Sequence, residues 1–373
     1  MPRLPRPSSA ARSTSTNNVN LIGGLRIMDE SDDARIDPPP RMPIPADTTA
    51  FRAVAALVNR GLCMLECQVG KQAIVRIGQD IVRNQQTIYN DKIENMGWWV
   101  GLFLYRLRTG FPVVLLSNHI EGEGESQLHE WTSDGTGMRQ WDASNAGVIR
   151  LNKAMVANMI QAGYNAATTS HEDELIAFEC FSFELGVTIA HEIMHIFAAF
   201  LIGDTHRSTP PPVTFIPELY NEVGDDGIEY GESGRAWEGR ALGGIVQAFE
   251  SRSSILGARQ AGILYLVDAN SIARPLDHNC IRRCLSLNFS FPLQTTGQPR
   301  RLIQLEQQRR GMSDVRIANL PPGLRHRRVR VPPMISTPVM QTLRARAAYT
   351  YEGREFINLQ RIPRQVACLF SAA

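Results

Sequence analysis

Residues 185–202 read LGVTIAHEIMHIFAAFLI, and this run is apolar on every side except at His191, Glu192 and His195. A surface helix keeps one polar face, so this pattern predicts a buried central helix. Ser182 is the predicted N-cap, and Gly203 suits the position just after the last turn. Residues four apart on a helix share one face, with Cβ atoms roughly 5–6 Å apart. The spacing therefore allows His191 and His195 to bind one Zn²⁺ ion.

Glu192 lies beside such a metal rather than on it. From this position a carboxylate can accept a proton from the attacking water, which makes Glu192 the predicted catalytic base. The alternative is a metal-free core helix, in which both histidines bond to carbonyl groups and Glu192 is paired by chance. That alternative requires three buried polar groups to be satisfied separately, at a cost of several kcal/mol for each failure.

A catalytic zinc site needs a third protein ligand. The metzincin pattern would place Gly and His where the chain has Ala198 and Leu201, so it does not apply. Residues 233–250 are predicted to form a second helix with Ser233 as N-cap. Glu238 begins its apolar stripe, which continues through Ala241, Leu242, Ile245, Val246 and Phe249.

We therefore expect Glu238 to be the third ligand, with Glu232 as the rival. Glu232 falls outside the cap and roughly 120° around the helix. Gly243 and Gly244 weaken a helix interior, which predicts the close approach of another helix. The acids of the preceding loop, Asp225, Asp226 and Glu229, are expected to be solvated; the alternative is that one of them accepts a hydrogen bond from the N–H of a metal-binding histidine.

These residues resemble a known family, the gluzincin-type zinc metallopeptidases, in which His-Glu-x-x-His is followed by a helical Glu. Residues 238–244, EGRALGG, are similar to the Glu-x-x-x-Phe-Gly-Gly segment of clostridial neurotoxin light chains. Residues 231–238, GESGRAWE, resemble uncharacterised fungal zincin-like proteins. The resemblance covers residues 185–250. It implies that His191, His195 and Glu238 bind zinc and that Glu192 is the general base.

The order of predicted elements indicates an α+β fold, a zincin-like domain with a small mixed sheet. Residues 50–70 and 72–109 are predicted to be mainly helical, 111–117 a buried strand, 153–162 a helix ending at Gly163, and 262–267 another strand. The strand 147–151 is the expected exposed edge at which an extended substrate would add. Residues 121–125 are an acidic loop, either a solvated hairpin or part of that site.

Composition sets the domain limits. Residues 1–48 are rich in Pro, Ser, Thr and Asn and predict a disordered tail; 49–290 form the catalytic domain, and 291–373 a C-terminal extension packed on it. The first 28 residues resemble a transit peptide, but three early prolines oppose an amphipathic helix. We therefore expect an intracellular, cytoplasmic protein, with mitochondrial import as the alternative. No membrane-spanning segment is predicted, and residues 98–105 are expected to form a buried helix.

A net charge of +2 gives no general indication of nucleic-acid binding. The basic segment 300–330 has no accompanying aromatic pattern, so nucleic acid is not an expected partner. The Cys63–Cys67 and Cys280–Cys284 pairs have a spacing unlike common zinc knuckles, and free thiols are expected, with a second structural zinc site as the alternative.

The sequence thus predicts a zinc metallopeptidase acting on a peptide or protein substrate. The alternative is a noncatalytic zinc-binding scaffold that serves as an interaction protein. The oligomeric state is not indicated. A peptidase also needs a donor to the oxyanion of its transition state. The candidates are Tyr220, Tyr230, Arg240, His206, Tyr349 and Tyr351.

Overall fold

The computed structural model describes residues 22–31, 40–120, 122–129, 137–169, 171–203, 209–223, 227–249, 251, 254–256, 259–302 and 305. Within these ranges the protein has a mixed α+β architecture, as predicted. The helices are α1 (Thr49–Glu66), α2 (Gln68–Asn84), α3 (Met96–Thr109), α4 (Lys153–Thr169), α5 (Glu172–Ile202), α6 (Pro217–Tyr220), α7 (Ser233–Trp237) and α8 (His278–Leu285).

The strands in the described part of the chain form three sheets. They are β1 (Ile27–Glu30), β2 (Arg41–Pro43), β3 (Val113–Ser117), β4 (Gly124–Leu128), β5 (Gly147–Asn152), β6 (Glu222–Val223), β7 (Glu229–Tyr230), β8 (Ile245–Phe249), β9 (Ile263–Val267), β10 (Ile272–Pro275) and β11 (Arg300–Arg301). The first sheet has the order β2-β1-β3-β5-β4 and the second β11-β10-β9-β8, while β6 and β7 form a hairpin.

Helix α5 carries the two histidines through the centre of the fold. It packs against α1, α2, α4, α7 and α8 and against β4. It ends where predicted, at Gly203 in the left-handed conformation (φ 79°). Its predicted start at Ser182 is wrong, because the helix begins at Glu172 and Ser182 is buried inside it. Three acids in the first turn suit the positive end of the helix dipole there.

By length and composition alone α5 could cross a membrane. However, 94% of its most apolar window is buried inside the fold. This is the burial of a core helix, so the apolar character of α5 is accounted for by packing.

The first sheet presents β4, rather than β5, at its edge. Strand β5 pairs with β3 in parallel on one side and with β4 in antiparallel on the other. The prediction that 147–151 is the exposed edge is therefore wrong, because part of the acidic segment 121–125 forms the start of β4 outside it. Strand β4 lies on α5 so closely that a Cβ on Gly124 would stand 2.6 Å from Cγ2 of Thr188, one turn before His191.

The segment 233–250 is helical only at its beginning. Helix α7 passes into a π-helical turn, Glu238–Leu242, and ends at Gly243 in the left-handed conformation (φ 88°). Residues 245–249 are all buried and form β8, which corrects the predicted single helix. A short run of apolar residues can belong either to a buried strand or to the apolar face of a helix, so the sequence pattern did not distinguish the two. Gly244 accommodates the approach of a strand, with its Cβ position 2.5 Å from the Val267 carbonyl oxygen.

Other predictions differ in their limits. Part of the predicted tail forms β1 and β2, and β1 pairs in parallel with β3. The predicted end of α4 at Gly163 is wrong, because the helix continues to Thr169; Gly163 lies inside it, where a Cβ would stand 2.9 Å from the Phe178 ring. The predicted strand near 262–267 is confirmed as β9. Of the basic segment 300–330, β11 is exposed on the second sheet, and most of the remainder lies outside the described residues.

Candidate metal centre

Three ligand atoms converge beside the C-terminal half of α5. Nε2 of His191 and Nε2 of His195 are 3.3 Å apart, and Oε1 of Glu232 lies 3.1 Å from the first and 2.8 Å from the second. The three side chains are partly exposed, at 12%, 24% and 18%. This is the group among the described residues that could hold a metal ion.

Glu232, rather than Glu238, stands at the third position. Glu232 is the N-cap of α7: its Oε2 accepts the backbone N–H of Arg235 at 2.8 Å, while its Oε1 faces the histidines. Ser233 had been expected to be this cap. We therefore correct the third ligand from Glu238 to Glu232. The sequence placed Glu238 on the buried face of one continuous helix. The helix is in fact short, and Glu232 is the residue at which it begins.

Glu238 instead supports His191 from behind. Its Oε1 lies 2.8 Å from Nδ1 of His191, on the side of the ring that faces away from Glu232. A carboxylate only accepts hydrogen bonds, so Nδ1 of His191 donates and Nε2 remains available as a ligand. Such carboxylate–histidine pairs commonly orient metal-binding imidazoles. Glu238 is 1% exposed, and its Oε2 accepts the backbone N–H of Val246 at 2.9 Å.

The donor set fits a zinc ion. Bonds of 2.0–2.2 Å to a tetrahedral zinc would separate neighbouring ligand atoms by about 3.3 Å. The observed separations of 2.8, 3.1 and 3.3 Å are close to this value. Two imidazoles and one carboxylate also match the three-ligand set of catalytic zinc sites, which keep a fourth position for water or substrate.

Glu192 is buried on the same turn of α5, with 5% of its surface exposed. It directly follows His191 in the chain and lies three residues before His195 on the same helix. Burial lowers the pKa of His195, Glu232 raises it most strongly, and Glu192 raises it further. A carboxylate close to the metal that is not itself a ligand is the group required for proton transfer.

The carboxylates control the protonation of the histidines. Burial by itself would lower the pKa of His191, but Glu232 and Glu238 outweigh burial and raise it to about 10. Burial would raise the pKa of Glu232, but the two histidines hold it well below its usual range. In the metal-free protein His191 therefore carries a proton at neutral pH, which a bound cation would replace.

The chain matches no known family model. Comparisons with curated proteins and with solved structures also found no significant match. The assignment of this centre therefore depends on its own geometry and chemistry.

The predicted oxyanion donors that the structure describes are Tyr220, Tyr230 and Arg240, and Tyr230 lies in β7. Tyr220 is buried, and its hydroxyl accepts from Gln247 at 3.2 Å; Arg240 pairs with Asp80 at 2.7 Å on α2. His206, Tyr349 and Tyr351 lie outside the described residues. Arg235 was missed, although it donates through Nη1 to Glu238 at 2.8 Å. Its position one turn before a supposed ligand on a helix could have suggested it.

The thiol predictions have a simpler outcome. The five described cysteines are Cys63, Cys67, Cys180, Cys280 and Cys284, and all are free thiols. In the part of the chain that the structure describes, they form no group of three or more ligands that could hold a metal. A second zinc site at these pairs is therefore not supported. Of the predicted solvated acids, Glu229 accepts from Asn221 at 2.8 Å, and Asp225 and Asp226 lie outside the described residues.

Gly234 is required for the position of the His191 ring. A Cβ at Gly234 would stand 2.4 Å from two carbons of that ring, far inside van der Waals contact. We expect Gly234→Ala to displace the imidazole and to weaken zinc binding by about 10-fold or more, as changes that disturb ligand orientation commonly do. The measurement is competition for zinc against a chromophoric chelator.

Gly101→Ala is the matched control for this substitution. Gly101 lies within α3 and has nothing within 4 Å of its Cβ position. There alanine should leave zinc affinity unchanged and stabilise the helix by up to about 1 kcal/mol. Equal zinc affinity in the Gly234→Ala and Gly101→Ala variants would show that the close approach of Gly234 to the His191 ring does not determine the position of that ring.

The raised pKa of His191 predicts a dependence on pH. Its ordinary value is 6.5 and its folded value about 10, so the stabilising charge is fully present below pH 6.5 and is lost as pH rises towards 10. We expect chelator-treated protein to lose on the order of a few kcal/mol of unfolding free energy across this window. Zinc affinity should rise over the same window, because fewer protons compete.

Urea unfolding and zinc competition at about pH 7 and about pH 9 measure both effects. The control is His191→Asn, in which the decline of unfolding free energy should be reduced. An identical decline in wild type and variant would show that His191 is not its source.

Proposed function

We propose that this protein is a zinc-dependent metallopeptidase. The observation that carries the proposal is the convergence of Nε2 of His191, Nε2 of His195 and Oε1 of Glu232 beside a buried helix. Glu238 behind His191 and the buried Glu192 beside His195 supply the orienting carboxylate and the base that such chemistry requires. The resemblance of residues 185–250 to gluzincins supports the same reaction class.

When bound, zinc would supply a Lewis acid that polarises a carbonyl group and increases the acidity of a coordinated water. In the proposed reaction Glu192 accepts a proton from the attacking water as its oxygen bonds to the peptide carbonyl carbon. Glu192 then delivers this proton to the amide nitrogen as the C–N bond breaks, releasing a carboxylic acid and an amine. Glu238 keeps the His191 ring oriented throughout.

The proposed path of the substrate runs along β4. Among the described residues β4 pairs with β5 alone, so its other edge faces away from the sheet. Gly124 of this strand lies against Thr188, one turn before His191. Extended peptides commonly bind by adding a strand to such an edge. We infer that the scissile bond is presented in this way.

The test is cleavage of a peptide library by the zinc-loaded protein. Products should appear, should cease when a chelator removes the metal, and should return when zinc is restored. Cleavage that persists in the metal-free protein would contradict the proposed chemistry. Stoichiometric zinc without cleavage of any library member would favour the noncatalytic scaffold instead.

A further inference from the structure

Arg235 connects the two acids of the candidate metal centre. Its backbone N–H donates to Oε2 of Glu232 at 2.8 Å, and its guanidinium Nη1 donates to Oε1 of Glu238 at 2.8 Å. That same Oε1 atom accepts from Nδ1 of His191. One residue therefore contacts both the carboxylate that faces the ligand atoms and the carboxylate that orients a ligand.

The guanidinium is itself held in place. Its central carbon lies 5.4 Å from the centre of the Tyr220 ring, a cation–π geometry, and Tyr220 is almost fully buried. Burial would lower the pKa of Arg235, but Glu238, Tyr220 and Glu232 together raise it, so the side chain is charged at all relevant pH values. Its planar fork also limits the angles at which it can hold Glu238.

We propose that Arg235 is a positioning residue for the metal centre, acting through Glu238 on the orientation of the His191 ring. The proposal rests on the metal site of the proposed function. Glu238 is nearly fully buried, so its charge needs a compensating cation even when the histidine is neutral and metal-bound. Arg235 supplies that cation and holds Oε1 of Glu238 at the position where it contacts Nδ1 of His191, which leaves Nε2 of His191 directed at the metal.

The test substitutes the side chain while the backbone N–H to Glu232 remains. Arg235→Met keeps the apolar stem over Tyr220 and removes the charge and the donors. We expect zinc affinity, measured by chelator competition, to fall by about 10- to 100-fold, the usual loss when an orienting partner is removed. Arg235→Lys should recover part of this loss, since an ammonium group can replace the charge but not the planar fork.

Arg240→Met is the matched control. Arg240 lies in the following π-helical turn, and its guanidinium pairs with Asp80 on α2. Zinc affinity should be unchanged in this variant. A fall equal to that of Arg235→Met would show that any lost ion pair on this segment disturbs the centre, and would overturn a specific role for Arg235.

A double variant separates positioning from folding. If Arg235 acts through Glu238, then Arg235→Met with Glu238→Gln should bind zinc about as well as Glu238→Gln alone. This variant also removes the buried carboxylate that would otherwise be left uncompensated, which protects the fold. The absorption spectrum of the cobalt-substituted protein should change in the Arg235→Met variant and stay unchanged in the Arg240→Met variant. Additive losses of zinc affinity in the double variant would overturn the proposal.

Failure of the positioning role of Arg235 can be distinguished from failure of the proposed function. If wild-type protein binds zinc and Arg235→Met binds it equally well with an unchanged cobalt spectrum, only the positioning role is wrong. If wild-type protein binds no zinc, the proposed function and this inference fall together.

Discussion

Replacing Glu232 by glutamine is expected to reduce zinc affinity by more than about 100-fold, beyond the 10- to 100-fold typical for loss of a supporting partner. The reason is geometric: Oε1 of Glu232 lies 2.8 and 3.1 Å from the two imidazole Nε2 atoms, where a third ligand must stand. The substitution keeps the size of the side chain, and glutamine can still accept at the helix cap. Chelator competition gives the affinity.

Two comparisons sharpen this prediction. Glu238→Gln removes the acceptor behind His191, and its loss of zinc affinity should stay within about 10- to 100-fold. Glu229→Gln is the control: this exposed acid lies just before α7 and contacts Asn221, so affinity should not change. A larger loss in Glu238→Gln than in Glu232→Gln would reverse the ligand assignment and restore the one expected from the sequence.

Replacing Glu192 by glutamine is expected to abolish measurable hydrolysis while zinc remains bound. General acid–base groups commonly contribute 10²- to 10⁴-fold to rate, and glutamine cannot accept and return the proton. Glu192 is buried, directly follows His191 on α5, and is not one of the three residues whose ligand atoms converge. The measurement is kcat/KM on the best library peptide, with zinc content determined on the same sample.

The two readouts distinguish the rival accounts. Retained zinc with lost hydrolysis supports Glu192 as the base. Hydrolysis as fast as in wild type would mean that another group transfers the proton. Loss of both zinc and hydrolysis would mean that Glu192 is needed for metal binding rather than for proton transfer alone.

The metal helix could be predicted from the sequence because its signals are local. Apolar residues on all sides indicated burial, and Gly203 marked the end in the left-handed conformation. The start of α5 was missed because apolar and helix-compatible residues continue upstream of Ser182, and local caps cannot exclude a longer helix.

The candidate third ligand could not be predicted from local sequence signals. Residues 238–249 have the spacing of a helix stripe, yet the chain turns at Gly243 and enters the second sheet, and this outcome depends on pairing between β8 and β9. Because helix α7 is short, the acid that contacts His191 and His195 is its N-cap residue, Glu232. Only the meeting of α5 and α7 in three dimensions identifies Glu232.

The edge strand was misassigned for a related reason. Gly147 to Leu151 has strong strand propensity, whereas the segment that forms β4, GESQL, is mostly polar and contains Leu128 as its one large apolar residue. A polar strand at a sheet edge shows little apolar alternation, so periodicity cannot separate it from a loop. Its position on α5, set by Gly124 against Thr188, follows from tertiary packing.

The zinc content of purified wild-type protein tests the proposed metal centre directly. It is measured by elemental mass spectrometry after removal of metal, reloading with zinc and exhaustive dialysis. The convergence of His191, His195 and Glu232 predicts about one zinc ion per chain. Wild-type protein that retains no zinc after reloading would contradict the metal centre and leave α5 as a core helix with two histidines held by carboxylates.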